Sequence, residues 1–320
     1  MTNKDITKIY FRENEIVALY RGDTLIFKKS GGGSTGVYTV RGTVKPFSGE
    51  QSIQLCVNGK QEQFNVNSDN TFEHTFVNIP VTNMNYFTQP CRDKLKTIDL
   101  SSLNTSKVTS MIQAFFQCDK LEEINLTNVD TSKVTDMNNM FSGCSHLTSL
   151  DASNFDTSNV TDMRSMFDGC TNLKSLDVRN FDTSKVITIN NMFYRCSGLT
   201  SLDLSSLDTS NVTDISNMFT YNSALEDLYL NLNVLSVSYY GNIFYGCKLL
   251  KNIVGKFEGT KFDLDLFDCP LTAASAMVFI NGLATVTEKR TLKLSATTYD
   301  SLATEQIAIA TSKGWTVTRG

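Results

Sequence analysis

Leu95, Leu121, Leu147, Leu173, Leu199 and Leu225 recur at intervals of 26 residues, and Leu250 follows after 25. No other feature restricts the fold as strongly, because a unit of that length cannot bury an apolar face alone and must stack on copies of itself. The most regular copy is LTSLDASNFDTSNVTDMRSMFDGCTN from Leu147. The copy before it, LEEINLTNVDTSKVTDMNNMFSGCSH, and the copy from Leu199, LTSLDLSSLDTSNVTDISNMFTYNSA, depart from it mainly at positions expected to meet solvent.

Two periods alternate within each unit. Leu147, Leu150 and Ala152 follow an L-x-x-L-x-L spacing that turns alternate side chains of a short strand inward, with Thr148, Ser149 and Asp151 outward. Further on, Thr161 stands as a candidate N-cap and Asp162 in a first turn. Met163, Met166, Phe167 and Cys170 then fall at i, i+3, i+4 and i+7, which predicts an amphipathic helix of about ten residues. Between the two, Asp156-Thr157-Ser158 carries short polar side chains suited to a turn. The expected fold is an α/β solenoid, a leucine-rich-repeat horseshoe with a parallel sheet on one face and short helices on the other. At roughly 4.8 Å per strand, seven leucine-anchored strands give a sheet about 30 Å long, a surface scaled to a macromolecule.

The array is expected over residues 81–255, because Thr82, Met84, Phe87 and Cys91 already reproduce the second half of a unit. Residues 256–320 read as a degenerate α/β cap, with Gly314 stopping the last helix. Upstream the chain is β-rich. ITKIYF, EIVALYRG and DTLIFKK predict a meander over 1–30, Gly31 to Gly36 a flexible linker, and residues 37–80 a small antiparallel sandwich with a hairpin turn at Asn58-Gly59. The opening MTNKDITKIYF meets Lys4, Asp5 and Lys8 before any apolar run long enough for a signal sequence. AMVFINGLATV from Ala276 falls far short of the roughly 18–20 residues of a membrane span. Neither a signal peptide nor a transmembrane segment is expected.

With these residues laid out, LDASNFDTSNVTDMRSMFDGC and LDLSSLDTSNVTDISNMF resemble the leucine-rich repeats of the BspA-like bacterial surface proteins, over roughly residues 81–254. The tail TLKLSATTYDSLATEQIAIATSKGW is similar to segments that close such arrays in gut bacteria. The resemblance implies an extracellular or cell-surface protein that binds a host or bacterial surface protein or glycan, without catalysis. The N-terminal KIYFRENEIVALYRGDTLIFKK is instead similar to openings of phage tail or fibre-associated proteins. It supplies the alternative of a virion component assembled through its N-terminal β segment.

The candidate chemistry is sparse. Asp99, Asn125, Asp151, Asp177 and Asp203 occupy one outward column of the sheet, which Tyr229 and Val254 break. Like charges at strand spacing repel and would attract a cation or a basic partner; alternatively each accepts hydrogen bonds from its following turn. Asp99, Asn125, Asp151, Asp177, Asp203 and Tyr229 form the candidate binding face. A second column, Asp130, Asp156, Asp182 and Asp208, belongs to the D-T-S turn. Cys118, Cys144, Cys170, Cys196 and Cys247 share one position, with Asn222 interrupting; no C-x-x-C knuckle accompanies them, so they read as small buried hydrophobes, leaving Cys56 and Cys269 outside the pattern. Gly32-Gly33-Ser34-Thr35-Gly36 matches G-x-S-x-G but is followed by β sequence, which makes it a linker rather than a nucleophile elbow. The two histidines, His74 and His146, sit in no catalytic cluster, and the aromatics Tyr239, Tyr240, Phe244 and Tyr245 crowd the unit where regularity fails. A net charge of -4 offers no basic field for a nucleic acid. No cofactor, metal or enzymatic activity is expected.

Overall fold

The computed structural model describes residues 8–12, 15–21, 24–28, 37–44, 52–77 and 81–320. The expected linker 31–36, with its G-x-S-x-G match, lies outside the described residues. The molecule is mostly β, in several small sheets of which none is closed. β1 (Lys8–Arg12), β2 (Glu15–Arg21) and β3 (Thr24–Lys28) form an antiparallel three-stranded sheet. β5 (Ser52–Val57) and β6 (Lys60–Asn65) make a hairpin whose turn residues, Asn58 and Gly59, both have positive φ, as a type I′ turn requires.

β4 (Val37–Val44), β7 (Thr71–Val77), β8 (Leu95–Asp99) and β9 (Glu123–Asn125) share one sheet in the order β7-β4-β8-β9. The antiparallel module is thus continuous with the first two repeat strands. Their close approach depends on Gly42, because a Cβ there would lie 2.1 Å from the carbonyl oxygen of Thr97 and 2.6 Å from the Phe72 ring.

From β8 onward strands of neighbouring repeats pair in parallel register, in short separate sheets. Asp99 lies opposite Asn125, Ser149 of β10 (Ser149–Leu150) opposite Ser175 of β11 (Ser175–Leu176). Asp203, Tyr229 and Val254 align across β12 (Ser201–Leu204), β13 (Asp227–Asn233) and β14 (Asn252–Glu258). A second parallel ladder runs Ser110, Asp136, Asp162, Thr188, Asp214, Tyr239. Between the ladders Phe115, Phe141, Phe167, Phe193, Phe219 and Phe244 stack with centroids 5.3–6.1 Å apart, an unbroken aromatic spine worth about 0.5–1.5 kcal/mol per pair beyond its area burial.

The helices expected inside the repeats are absent: residues 92–272 contain no α-helix. Met163, Met166, Phe167 and Cys170 are fully buried, as their spacing requires, but the backbone that carries them is a run of turns. Ser165 and Gly169 have φ of 53° and 73°. The N–H groups of Met163, Ser165, Phe167 and Gly169 donate to carbonyls of Thr188, Asn190, Met192 and Tyr194 in the next repeat, at 2.8–3.2 Å. Those of Met166, Asp168 and Cys170 close i→i−3 turns. An α-helix directs every N–H along its own axis. Here alternate donors are spent on the neighbouring repeat, so the segment stacks as a ladder.

Among the described residues, α-helices occur only after the array. α1 (Ala273–Gly282) packs on β14, its N-cap Thr272 accepting from the Ser275 N–H, while Ser275 Oγ accepts the Ile253 N–H at 2.8 Å. α2 (Ala296–Asp300) and α3 (Thr304–Ser312) flank a parallel sheet of β15 (Leu264–Leu266), β16 (Arg290–Leu294) and β17 (Trp315–Arg319). Gly314, at φ 90°, follows α3, where a left-handed residue ends a helix.

Candidate binding face

Each member of the Asp column follows an inward-facing leucine or isoleucine at or near the end of its strand, and its side chain closes the turn that follows. Oδ1 of Asp99, Asn125, Asp151, Asp177 and Asp203 accepts the backbone N–H two residues on, at 2.9–3.0 Å. This is the Asx geometry by which a short carboxylate substitutes for a backbone acceptor. Three of its carboxyls are held in the charged form despite their spacing. Hydrogen bonds from Ser153 and Ser205 lower the carboxyls of Asp151 and Asp203, and those from the Arg179 guanidinium and N–H hold Asp177 at about 2. Arg179 grips Asp177 bidentately, Nη2 to Oδ2 at 2.7 Å. Tyr229 ends the column differently: its ring is exposed, beside an exposed Val254.

Two of the six residues open onto a cleft. Asp99 and Asn125 line a cavity of about 490 Å³ at the start of the array, together with Arg41, Glu73, Thr97 and Glu123. Cross-strand register places Glu73, Arg41, Asp99 and Asn125 in one row over β7, β4, β8 and β9, and Thr71, Thr43, Thr97 and Glu123 in the next. Arg41 Nε lies 3.2 Å from Glu73 Oε2, and the Thr43 and Thr97 hydroxyls are 2.9 Å apart. Asp151, Asp177, Asp203 and Tyr229 do not line this cleft; they hold the equivalent position in later repeats. Sequence reasoning missed Arg41, Glu73, Thr97 and Glu123. The alternation in VYTVRGTV puts Thr39, Arg41 and Thr43 on one face, but that β4 would lie beside β8 is a tertiary pairing without a local signature.

The remaining candidates are structural. Asp130, Asp156, Asp182 and Asp208 accept the N–H of Ser132, Ser158, Ser184 and Ser210 at 2.9–3.0 Å. A third column that sequence reasoning passed over, Asp136, Asp162 and Asp214, does the same on the second ladder. The thiols of Cys144, Cys170, Cys196 and Cys247 donate to the carbonyls of Phe115, Phe141, Phe167 and Phe219 in the preceding repeat at 3.0–3.3 Å. Cys269 extends the same column to the Phe244 carbonyl at 3.7 Å, although it was expected to stand apart. Burial pushes the thiols of Cys118, Cys170 and Cys247 up to about 12. Among the described residues no three His, Cys, Asp or Glu side chains gather as a metal site. His146 is exposed, and His74 stands in β7.

A family model described as "Mycoplasma protein of unknown function, DUF285" matches residues 82–177 and again 169–263, more than half of the chain. No curated protein and no solved structure matches it.

Proposed function

We propose that this chain, which belongs to the DUF285 family, is a non-enzymatic binding protein whose stacked repeats form a leucine-rich-repeat-type solenoid of the BspA-like kind. It presents its exposed strand face to a protein or glycan at a bacterial surface. The observation that carries this reading is the recurrence of a turn-held polar side chain at one position of successive repeats. The row Glu73, Arg41, Asp99, Asn125 opens a cleft at one end, and Asp151, Asp177 and Asp203 hold the equivalent position in the next three repeats. Asp151 and Asp203 are fixed on one oxygen by the backbone that follows, so they lose little conformational entropy when a partner engages the other oxygen, while Asp177 presents the Arg179 guanidinium it holds. β1 to β3 serve as the attachment or spacer segment.

The test is retention of extracellular-matrix and cell-surface proteins and printed glycans by the immobilised full chain. We expect retention to fall at least tenfold with Arg41→Ala and with the triple change Asp151→Ser, Asp177→Ser, Asp203→Ser, with thermal unfolding retained. Serine keeps a turn acceptor while removing the charge. Retention untouched by both variants would move the binding surface off this face.

A further inference from the structure

A second cavity lies where the regular repeats give way to the cap. It measures about 230 Å³, and its walls include the rings of Tyr240, Tyr245 and Phe267 and the carboxylates of Asp263, Asp265 and Asp268. None of these residues belongs to the Asp column. Residues Tyr240 to Tyr245, in the unit where the repeat loses its regularity, line this cavity.

The aromatic part is exposed where it should be packed if it were only core. Tyr245 is 52% and Phe267 47% exposed, while Tyr240 is braced by Phe262 with ring centroids 4.0 Å apart. The polar part is rigid. Asp263 Oδ1 accepts the Thr291 N–H at 2.6 Å, Asp265 Oδ1 the Phe267 N–H at 2.9 Å, and Asp268 Oδ2 the Gly246 N–H at 2.8 Å. Each carboxylate thus has one oxygen anchored to backbone. The cavity already contains a cation: Lys293 Nζ lies 3.5 Å from Asp265 and 4.5 Å from the Phe267 ring centroid.

Apolar rings beside fixed acceptors suit a ligand with an apolar C–H face and several hydroxyl donors. Because Lys293 is in place, the site does not call for a second cation, and its carboxylates disfavour an acidic sugar. The volume falls below the roughly 300–1,000 Å³ of pockets for drug-sized ligands, the scale of a single sugar ring. The aromatic surface also continues outward. Tyr245 meets Tyr221 edge to face at 5.4 Å, Tyr221 meets Tyr194 at 5.9 Å, and the Arg195 guanidinium lies 5.0 and 5.5 Å from the centroids of Tyr194 and Tyr221. One ring per repeat carries the surface from the cavity back along the array.

We propose that this cavity binds one residue of a neutral oligosaccharide, with Asp263 and Asp268 accepting from its hydroxyls and Phe267 and Tyr245 meeting its C–H face. The strip Tyr245, Tyr221, Tyr194 carries the next residues of the chain. The proposal rests on the reading of the protein as a binding module and names a ligand class and a separate place for it.

The full chain and the variants Phe267→Ala, Tyr245→Ala, Asp268→Asn and Arg41→Ala should be compared on a printed array of neutral, amino and acidic oligosaccharides, with basic peptides and extracellular-matrix and cell-surface proteins alongside. Phe267 and Tyr245 are half exposed, so both variants should unfold at the wild-type temperature. Expected is binding to neutral oligosaccharides that weakens at least tenfold with Phe267→Ala and with Tyr245→Ala. Neutral-glycan binding lost only with Arg41→Ala would overturn this site and leave the first cleft standing. Preference for basic peptides, or binding to matrix proteins without any glycan, would overturn it too while sparing the broader reading. Absence of binding to every probe would remove both.

Discussion

Asn222 is the residue at which the repeat code fails chemically. It occupies the position of the cysteines, is buried, and neither its side-chain nitrogen nor its oxygen has a hydrogen-bond partner. A buried unsatisfied amide costs about 1–3 kcal/mol. Asn222→Cys should therefore stabilise the protein by about that amount, read as a higher urea midpoint, because a thiol there meets the Phe193 carbonyl as its neighbours meet theirs. The thiol ladder also sets a pH limit. A free thiol in an unfolded chain titrates near about 8.5, whereas burial holds Cys118, Cys170 and Cys247 up at about 12. A thiol whose folded value is raised keeps its full contribution below the unfolded value and loses it as pH climbs from there toward the folded value. The loss is at most about 1.4 kcal/mol per pH unit for each thiol. Urea midpoints should hold steady up to about pH 8 and fall between pH 9 and 10.5, and Cys170→Ala should make that fall shallower. The cysteine column was legible from its register; that Asn222 would be left unpaired was not, since pairing depends on how its amide sits under Phe193.

At the scale of the element, the i, i+3, i+4, i+7 pattern identified the inward side chains and misassigned the backbone. Side-chain periodicity records which atoms face the core, not where the N–H groups point. The missing signal was present in the polar positions. Asn139, Asn191, Asn217 and Asn242, with Gln113 and Ser165, occupy one left-handed position, and Gly143, Gly169 and Gly246, with Gln117, Arg195 and Tyr221, the other. Asparagine and glycine are the residues that visit that region at least cost. Gly169→Ala separates the two backbones by sign. In a helix interior the change would stabilise by roughly 0.5–1 kcal/mol. At φ 73°, with room for the methyl since its nearest neighbours are Gly143 backbone atoms at 3.6 Å, it should destabilise by about 1 kcal/mol or slightly more in urea unfolding. A far-ultraviolet spectrum with helical signal from α1 to α3 alone fits the same assignment.

For the whole molecule, the 26-residue interval is a unit of construction, because each described repeat bonds to the copies on either side, and where repeats stack in this way stability is close to a sum of neighbour contacts. Deleting residues 147–172 removes one unit in register. Phe193 then meets Phe141, Cys196 meets the Phe141 carbonyl, and Thr188 takes the place of Asp162 beside Asp136. The shortened chain should fold cooperatively with a proportionally smaller urea dependence, since that slope follows the surface exposed on unfolding. Deleting 147–159 instead sets strand residues against the turn run and should abolish cooperative unfolding. The in-register deletion also tells the two proposed sites apart. It leaves the cleft of Arg41, Glu73, Asp99 and Asn125 and the cavity of Asp263, Phe267 and Asp268 intact but brings them closer by one strand spacing, about 4.8 Å. Partners that use one site alone should bind the shortened chain as they bind the full one. A single partner spanning both should lose affinity although no contacting residue has changed, because effective concentration collapses when the span no longer matches.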